Sequence, residues 1–293
     1  MQPVAADSAN GSSLGTALVS LIKTPIGYAK EYFHRRPDPS YKPDFVSGEL
    51  KAQAATLVEE MRREGIVMLP GHFKGPLLAK LQAGLDRAVS GRPDKWNPNS
   101  LLNIDALEAE PVFYDAVLDD FLLEVIGGYY QKRFCVTTAN AMRLMPAPAD
   151  VRQGSFQWHH DTRGRQVHVM ILLSDVTTKG QRMTYLKRSH HTYYDYARSK
   201  DEGSRFELDV ASDPELQKRV VEVTGPAGTV AIFDSNGLHS GNRGEGEIRE
   251  TLTLCYVSWR HFKKIKVKRK DVEALPPRKR AVMEFNPNLV WVD

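Results

Sequence analysis

Residues 156–173 read FQWHHDTRGRQVHVMILL. The second half, 166–173, is a short run rich in Val, Ile and Leu of the kind that fills a buried strand. In the first half His159 and Asp161 are two apart, so on an extended backbone both project from one face. Segments of the same kind recur at 133–145 (RFCVTTANAMRLM), 183–187, 219–224, 229–233 and 250–259 (ETLTLCYVSW), separated by turn residues. That is a meander of strands. In the last of them Tyr256, Ser258 and Arg260 alternate with Cys255, Val257 and Trp259, so both faces are occupied.

Before residue 132 the period changes. Residues 49–64 predict a helix with Leu50, Ala54, Leu57, Val58 and Met61 inward, ended by Gly65 and followed by a short buried strand, Ile66–Leu69. A second helix is expected from Pro76 to Val89, a loop over the Pro-, Asn- and Asp-rich 91–105, and one or two helices over 108–130 ending at Gly127-Gly128. Helices followed by strands predict an α+β or mainly-β fold in which helices buttress one sheet of a β-sandwich or jelly roll.

Composition agrees with that of soluble globular proteins and removes several other classes. The 293 residues are 41% hydrophobic and 26% charged, which excludes disorder, collagen and coiled coil. Cys135 and Cys255 sit in apolar runs without CxxC spacing, so a disulfide framework or thiolate metal site is not expected. No secretory signal or membrane span is legible, and a cytoplasmic setting is expected. Residues 260–280 carry ten Lys or Arg against Asp271 and Glu273, so the formal charge of +4 is concentrated there. A surface that coats nucleic acid is therefore not indicated.

About eighty residues after the HxD stretch, Phe233-Asp-Ser-Asn-Gly-Leu-His239 ends another strand. A neighbouring strand can bring His239 to His159 and Asp161. Two imidazoles and one carboxylate on one face of a metal leave open positions and suit non-haem Fe(II). Arg249 lies ten residues further on, with Thr251 on the same strand face. A guanidinium beside a hydroxyl forms a clamp for a distal carboxylate such as that of a keto acid. Arg249 could instead pair with Glu247 or Glu250, and Thr is common in strands in any case.

These residues resemble the phytanoyl-CoA dioxygenase family of Fe(II)/2-oxoglutarate oxygenases. Its HxD...H triad and downstream arginine are matched by His159, Asp161, His239 and Arg249. In the same order come Gly65-Ile-Val-Met-Leu-Pro70, Ile171-Leu-Leu-Ser-Asp-Val176 and Gly225-Pro-Ala-Gly228, and the resemblance spans roughly residues 52–260. Tyr185-Leu-Lys-Arg-Ser-His190 departs from it, with Lys187-Arg188 where Pro-Gly is usual. His160 is a rival ligand, but its partner would be Thr162, which has no carboxylate.

The resemblance implies a double-stranded β-helix (cupin-like), Fe(II), 2-oxoglutarate and O2, with Asn140 a candidate contact to the keto acid. Asp161, present where related halogenases carry a small residue, argues for hydroxylation. The expected reaction oxidises an unactivated C–H with release of succinate and carbon dioxide. Alternatives are a noncatalytic β-sandwich binding module and a cupin-like metal enzyme that uses no keto acid. His168 is assigned no role, His190 reads as structural, and Arg163 and Arg165 flank the expected cavity mouth.

The organisation expected is an N-terminal extension, 1–48, with an amphipathic helix from Leu14 to Ile22 and a Pro-rich linker; an oxygenase domain, 49–260; and a basic C-terminal extension, 261–293. Lys263–Lys270 alternates charge with Ile265 and Val267, as in an edge strand guarded by lysines. Expected partners are a small-molecule or lipid-linked substrate, an anionic one included, without nucleic acid and with peripheral membrane contact left open.

Overall fold

The computed structural model describes Ile26, Ala29 and residues 36–90, 101–146, 156–161, 166–191, 205–206, 208–242, 247–259 and 262–292. The expected helix at 14–22, with Arg163, Arg165 and Arg260, lies outside these residues. Helix α1 (Gly48–Glu64) buries Ala54, Val58 and Met61, spaced along one face. Leu50, read as inward, is 49% exposed, because in the first turn it lines a surface groove with Leu57, Leu69 and Phe121. Strand β1 (Ile66–Leu69) follows, then α2 (Gly75–Val89), which buries Leu81 and Leu85.

Two sequence expectations need correction here. The loop expected over 91–105 ends in a strand, β2 (Leu101–Asp105), whose Leu102 and Ile104 are buried. The Asn and Asp residues masked an alternation in which those two apolar side chains face one way. The helices expected at 108–130 are three: α3 (Ala106–Ala109), α4 (Phe113–Val117) and α5 (Asp120–Tyr130). Gly127 and Gly128 do not end α5; they let it approach its neighbours. A Cβ on Gly128 would lie 2.9 Å from Val58 of α1, and one on Gly127 would lie 3.0 Å from Pro43 and from the Tyr41 hydroxyl.

The remaining strands build two antiparallel sheets. They are β3 (Cys135–Leu144), β4 (Trp158–His159), β5 (Gln166–Leu172), β6 (Met183–Leu186), β7 (Arg205–Phe206), β8 (Val220–Val223, after the short helix α6, Pro214–Arg219), β9 (Val230–Asp234), β10 (His239–Gly241) and β11 (Arg249–Val257). The larger sheet runs β1-β9-β5-β11-β3-β2 and the smaller β7-β4-β10-β6-β8. Strand alternation divides the larger sheet's side chains cleanly. Val67, Val167, Val169, Ile171, Ile232, Leu252 and Leu254 face the helices and pack with Met61, Leu81, Leu85, Leu122 and Ile126. Ile66, Met170, Leu172, Ala231 and Phe233 face the smaller sheet and pack with Met183, Tyr185 and Val223. Shortening any of these buried leucines to alanine costs about 2–5 kcal/mol.

Two tyrosines of α5 fasten the helical layer to the strands. Tyr129 donates to the buried Asp234 carboxylate at 2.6 Å. Tyr130 donates to the Tyr256 carbonyl at 2.6 Å and accepts from the Val167 amide. The C-terminal residues also join the structure. Strand β12 (Ile265–Lys268) pairs in parallel with β13 (Leu289–Val292) through helices α7 (Arg269–Glu273) and α8 (Pro277–Glu284). Ile265 and Val267 are buried and Lys266 is exposed, the alternation read from the sequence. Val267, Val272 and Met283 belong to the main core. Among the described residues no helix is long and apolar enough to cross a membrane.

Candidate metal centre

His159 ends β4 and His239 begins β10, and these two strands are neighbours in the smaller sheet with His159 and His239 directly opposite. Asp161, just past β4, is tied by its backbone amide to the Ser235 carbonyl at 3.1 Å. The turn that delivers His239 is itself braced. Asp234, held by Tyr129, accepts from the Asn236 amide at 2.9 Å, and the Asn236 side chain donates to the His190 carbonyl at 2.7 Å. Gly237 is required there, because a Cβ would stand 1.9 Å from the Tyr185 hydroxyl. Tyr185 in turn donates to the Asp234 carbonyl at 2.9 Å.

The result is a group of three ligand-bearing side chains whose donor atoms lie within 4.8 Å of one another. His159 Nδ1 meets the Gln157 carbonyl at 2.8 Å and His239 Nδ1 meets the Gly237 carbonyl at 2.9 Å. A carbonyl can only accept, so both rings carry their proton on Nδ1 and present the Nε2 lone pair inward. The two Nε2 atoms lie 3.5 and 3.6 Å from the same oxygen, Asp161 Oδ1. Burial disfavours charge on Asp161, yet the histidines beside it outweigh this and hold its carboxyl well below the usual range. Burial also opposes charge on His239, but Asp161 more than offsets it, so that ring's pKa is raised. Two imidazole nitrogens and one carboxylate oxygen converging on one point are the donor set of a divalent non-haem site with open positions. The residues present fit such an ion.

His160 is 2% exposed and is not among the three converging side chains. His190 Nε2 meets the Arg62 carbonyl at 3.1 Å, a structural contact that ties the 186–191 turn to α1. In that turn Arg188 has φ 64°, a left-handed backbone, at the position where the resembled family has glycine. Its side chain compensates by bonding Glu64 twice, at 3.1 Å each.

Arg249 opens β11 opposite Leu144, half-buried, and Thr251 is 1% exposed opposite Met142 and Leu172. Their strand phase is opposite to that of Leu252 and Leu254, which face the helices, so they lie on the face toward the smaller sheet. Nearby, Glu250 accepts from Arg143 at 2.6 Å and Glu247 from the Thr177 hydroxyl at 2.8 Å. Asn140 sits opposite Thr253 on the neighbouring β3. The Thr251 and Thr253 hydroxyls are buried without a hydrogen-bond partner, a costly condition that a bound polar ligand relieves. Cys135 and Cys255 are free and buried, and burial pushes the Cys135 thiol up to about 12, so neither is a nucleophile.

The residue that sequence reasoning passed over is His168. It lies in β5 beside Phe233 and Cys255, with Nε2 3.4 Å from Asp161 Oδ2. The signal was present in its phase: His168 alternates with Val167 and Val169 and shares a face with Met170 and Leu172.

No protein-family model matches the chain, and no curated protein matches it in sequence. Solved structures do match in fold. The epimerase SnoN from nogalamycin biosynthesis, in complex with Fe3+, alpha ketoglutarate and nogalamycin RO, is 17% identical, with 71% of this chain and 84% of that one covered at a TM-score of 0.57. EctD from S. alaskensis, in its apoform, is 21% identical over 76% and 83% at 0.56. HygX from Streptomyces hygroscopicus, with nickel and 2-oxoglutarate bound, is 18% identical over 72% and 89% at 0.54.

Proposed function

We propose that this chain is a non-haem Fe(II)/2-oxoglutarate-dependent oxygenase of the phytanoyl-CoA dioxygenase type, built on a double-stranded β-helix. It hydroxylates an unactivated C–H of a small molecule. The observation that carries the reading is the convergence of His159 Nε2, His239 Nε2 and Asp161 Oδ1, with both Nδ1 atoms committed to carbonyls. His159, Asp161 and His239 would hold the iron. Bound there, the ion would supply the oxidative chemistry by which 2-oxoglutarate and O2 give succinate and carbon dioxide, with the second oxygen atom ending in the substrate C–H bond.

The chain's own residues bind and orient. The Arg249 guanidinium and the unbonded Thr251 hydroxyl receive the distal carboxylate of 2-oxoglutarate, and Asn140 on the adjacent strand offers a further contact. Alternation of chain segments between the sheets, with β3-β11-β5-β9 facing β4-β10-β6-β8, supports the double-stranded β-helix. Buried and unbonded Thr138 and Thr253 hydroxyls on the same face favour a substrate with hydrogen-bonding groups over a bare acyl chain. SnoN and HygX, solved with nogalamycin RO and hygromycin B respectively, are neighbours that hold such molecules.

Anaerobic titration of the protein with Fe(II) and then 2-oxoglutarate tests the reading. The expected result is a weak visible charge-transfer band that needs both components, and its absence in wild type overturns the assignment. Arg249→Ala is expected to weaken 2-oxoglutarate binding about thirty-fold or more and Fe(II) binding far less. A buried, charge-assisted fork is worth about 2–5 kcal/mol. Product mass then shows whether one oxygen is gained.

A further inference from the structure

We infer that His168 is a positioning residue: it donates from Nε2 to Asp161 Oδ2 and so fixes the carboxylate with Oδ1, and only Oδ1, turned to the metal. The inference rests on the proposed metal site and concerns what orients one of its ligands.

The two oxygens of Asp161 have different neighbours. Oδ1 is 3.5 and 3.6 Å from the Nε2 atoms of His159 and His239, while Oδ2 is 3.4 Å from His168 Nε2. His168 itself is not one of the three converging side chains. Its Nε2 is buried and makes no hydrogen bond, with Asp161 Oδ2 lying 3.4 Å away, and a buried ring nitrogen left unbonded is costly. The separation of 3.4 Å exceeds a well-formed N–H···O bond by about half an ångström, a gap that a small rotation of either side chain closes.

The ring cannot easily turn elsewhere. His168 is in the interior of β5, which pairs with β9 on one side and β11 on the other. Its ring lies 5.4 Å from that of Phe233, which in turn lies 5.5 Å from that of His239. An imidazole in this place has an N–H to turn toward the one carboxylate oxygen that the other two rings do not approach.

The test compares wild type with His168→Phe, His168→Ala and His168→Gln by titrating metal-free protein with Co(II), reading both affinity and the visible ligand-field spectrum. Phe keeps the packing against Phe233 and removes the donor; Gln keeps an N–H donor. Both Phe and Ala are expected to bind Co(II) about 10–100-fold more weakly, as losses of this kind do, with an altered spectrum and far-ultraviolet circular dichroism unchanged. Gln is expected to recover most of the affinity and the wild-type spectrum. Should Phe bind Co(II) as wild type does, His168 is a packing residue and the inference is overturned. Should Gln fare no better than Phe, the donor role is likewise overturned. Failure of wild type to bind any metal would overturn the proposed function, and this inference with it.

Discussion

A single hydroxyl shows how far the site depends on side chains that never touch a ligand. Tyr129 donates to Asp234 at 2.6 Å, and Asp234 holds the Asn236 amide two residues along the turn that presents His239. Tyr129→Phe removes that donor from a buried carboxylate, and a bond to a charged group is worth about 1.5–3 kcal/mol. The expected outcome is a loss of that size in chemical denaturation, together with weaker Co(II) binding. Equal stability would mean that Asp234 finds another donor. At this scale the sequence is informative only where spacing has chemical meaning. His159 and Asp161 are legible because an i, i+2 pair shares a strand face, and Arg249 and Thr251 for the same reason. The bracing of the His239 turn by Tyr129, Asp234 and Asn236 is not, because its anchor joins Tyr129 to Asp234 across 105 residues through a contact that has no period. His168 falls between these cases: its phase is legible, but the identity of the group it faces is not.

Among the elements, the turn from β6 to His191 departs most from the resembled pattern, and the structure gives the reason it survives. A non-glycine residue in the left-handed region costs about 1–2 kcal/mol, and Arg188 meets that cost with two bonds to Glu64 at the end of α1. Those bonds hold the Glu64 carboxyl down to about 2, against an ordinary value of 4.5. A group whose pKa is depressed on folding stabilises above its unfolded pKa, and the contribution fades as pH falls through the folded one. The stability difference between wild type and Glu64→Gln is therefore expected to be about 1–2 kcal/mol at pH 7, after screening of the exposed guanidinium, and to shrink between pH about 4.5 and 2. Thermal melts across that range check it, and a difference that does not vary with pH would refute the linkage. Helices and strands with clean apolar periods, such as α2 and β5, are legible in the chain. β2 is not legible, because Asn103 and Asp105 on its exposed face have loop character, and neither is the last turn of α5, where glycine serves close contact instead of a stop.

At the scale of the whole molecule, the basic C-terminal run is less a free patch than a part of the fold. Lys266 pairs with Glu108 at 3.2 Å, Arg278 with Asp44 at 3.1 Å and Lys279 with Asp120 at 3.2 Å, while Val267 and Met283 are fully buried. Val267→Asp is accordingly expected to lower the melting temperature sharply, since it places an unpaired charge in the main core; an unchanged melt would show that β12 is dispensable. The ligands of the candidate centre have a further consequence for the chain as a thermodynamic system. His159 and His239 are eighty residues apart and meet only through the β4–β10 pairing. An unfolded chain therefore holds no comparable site, and an ion that binds the folded form alone pulls the unfolding equilibrium toward it. At a free metal concentration one hundred times Kd the stabilisation is about 2.7 kcal/mol, visible as a melting temperature that climbs with the logarithm of added ion and falls back with chelator. The ion would then act as a sensor of whether β4 has paired with β10, reporting on folding before any substrate is present.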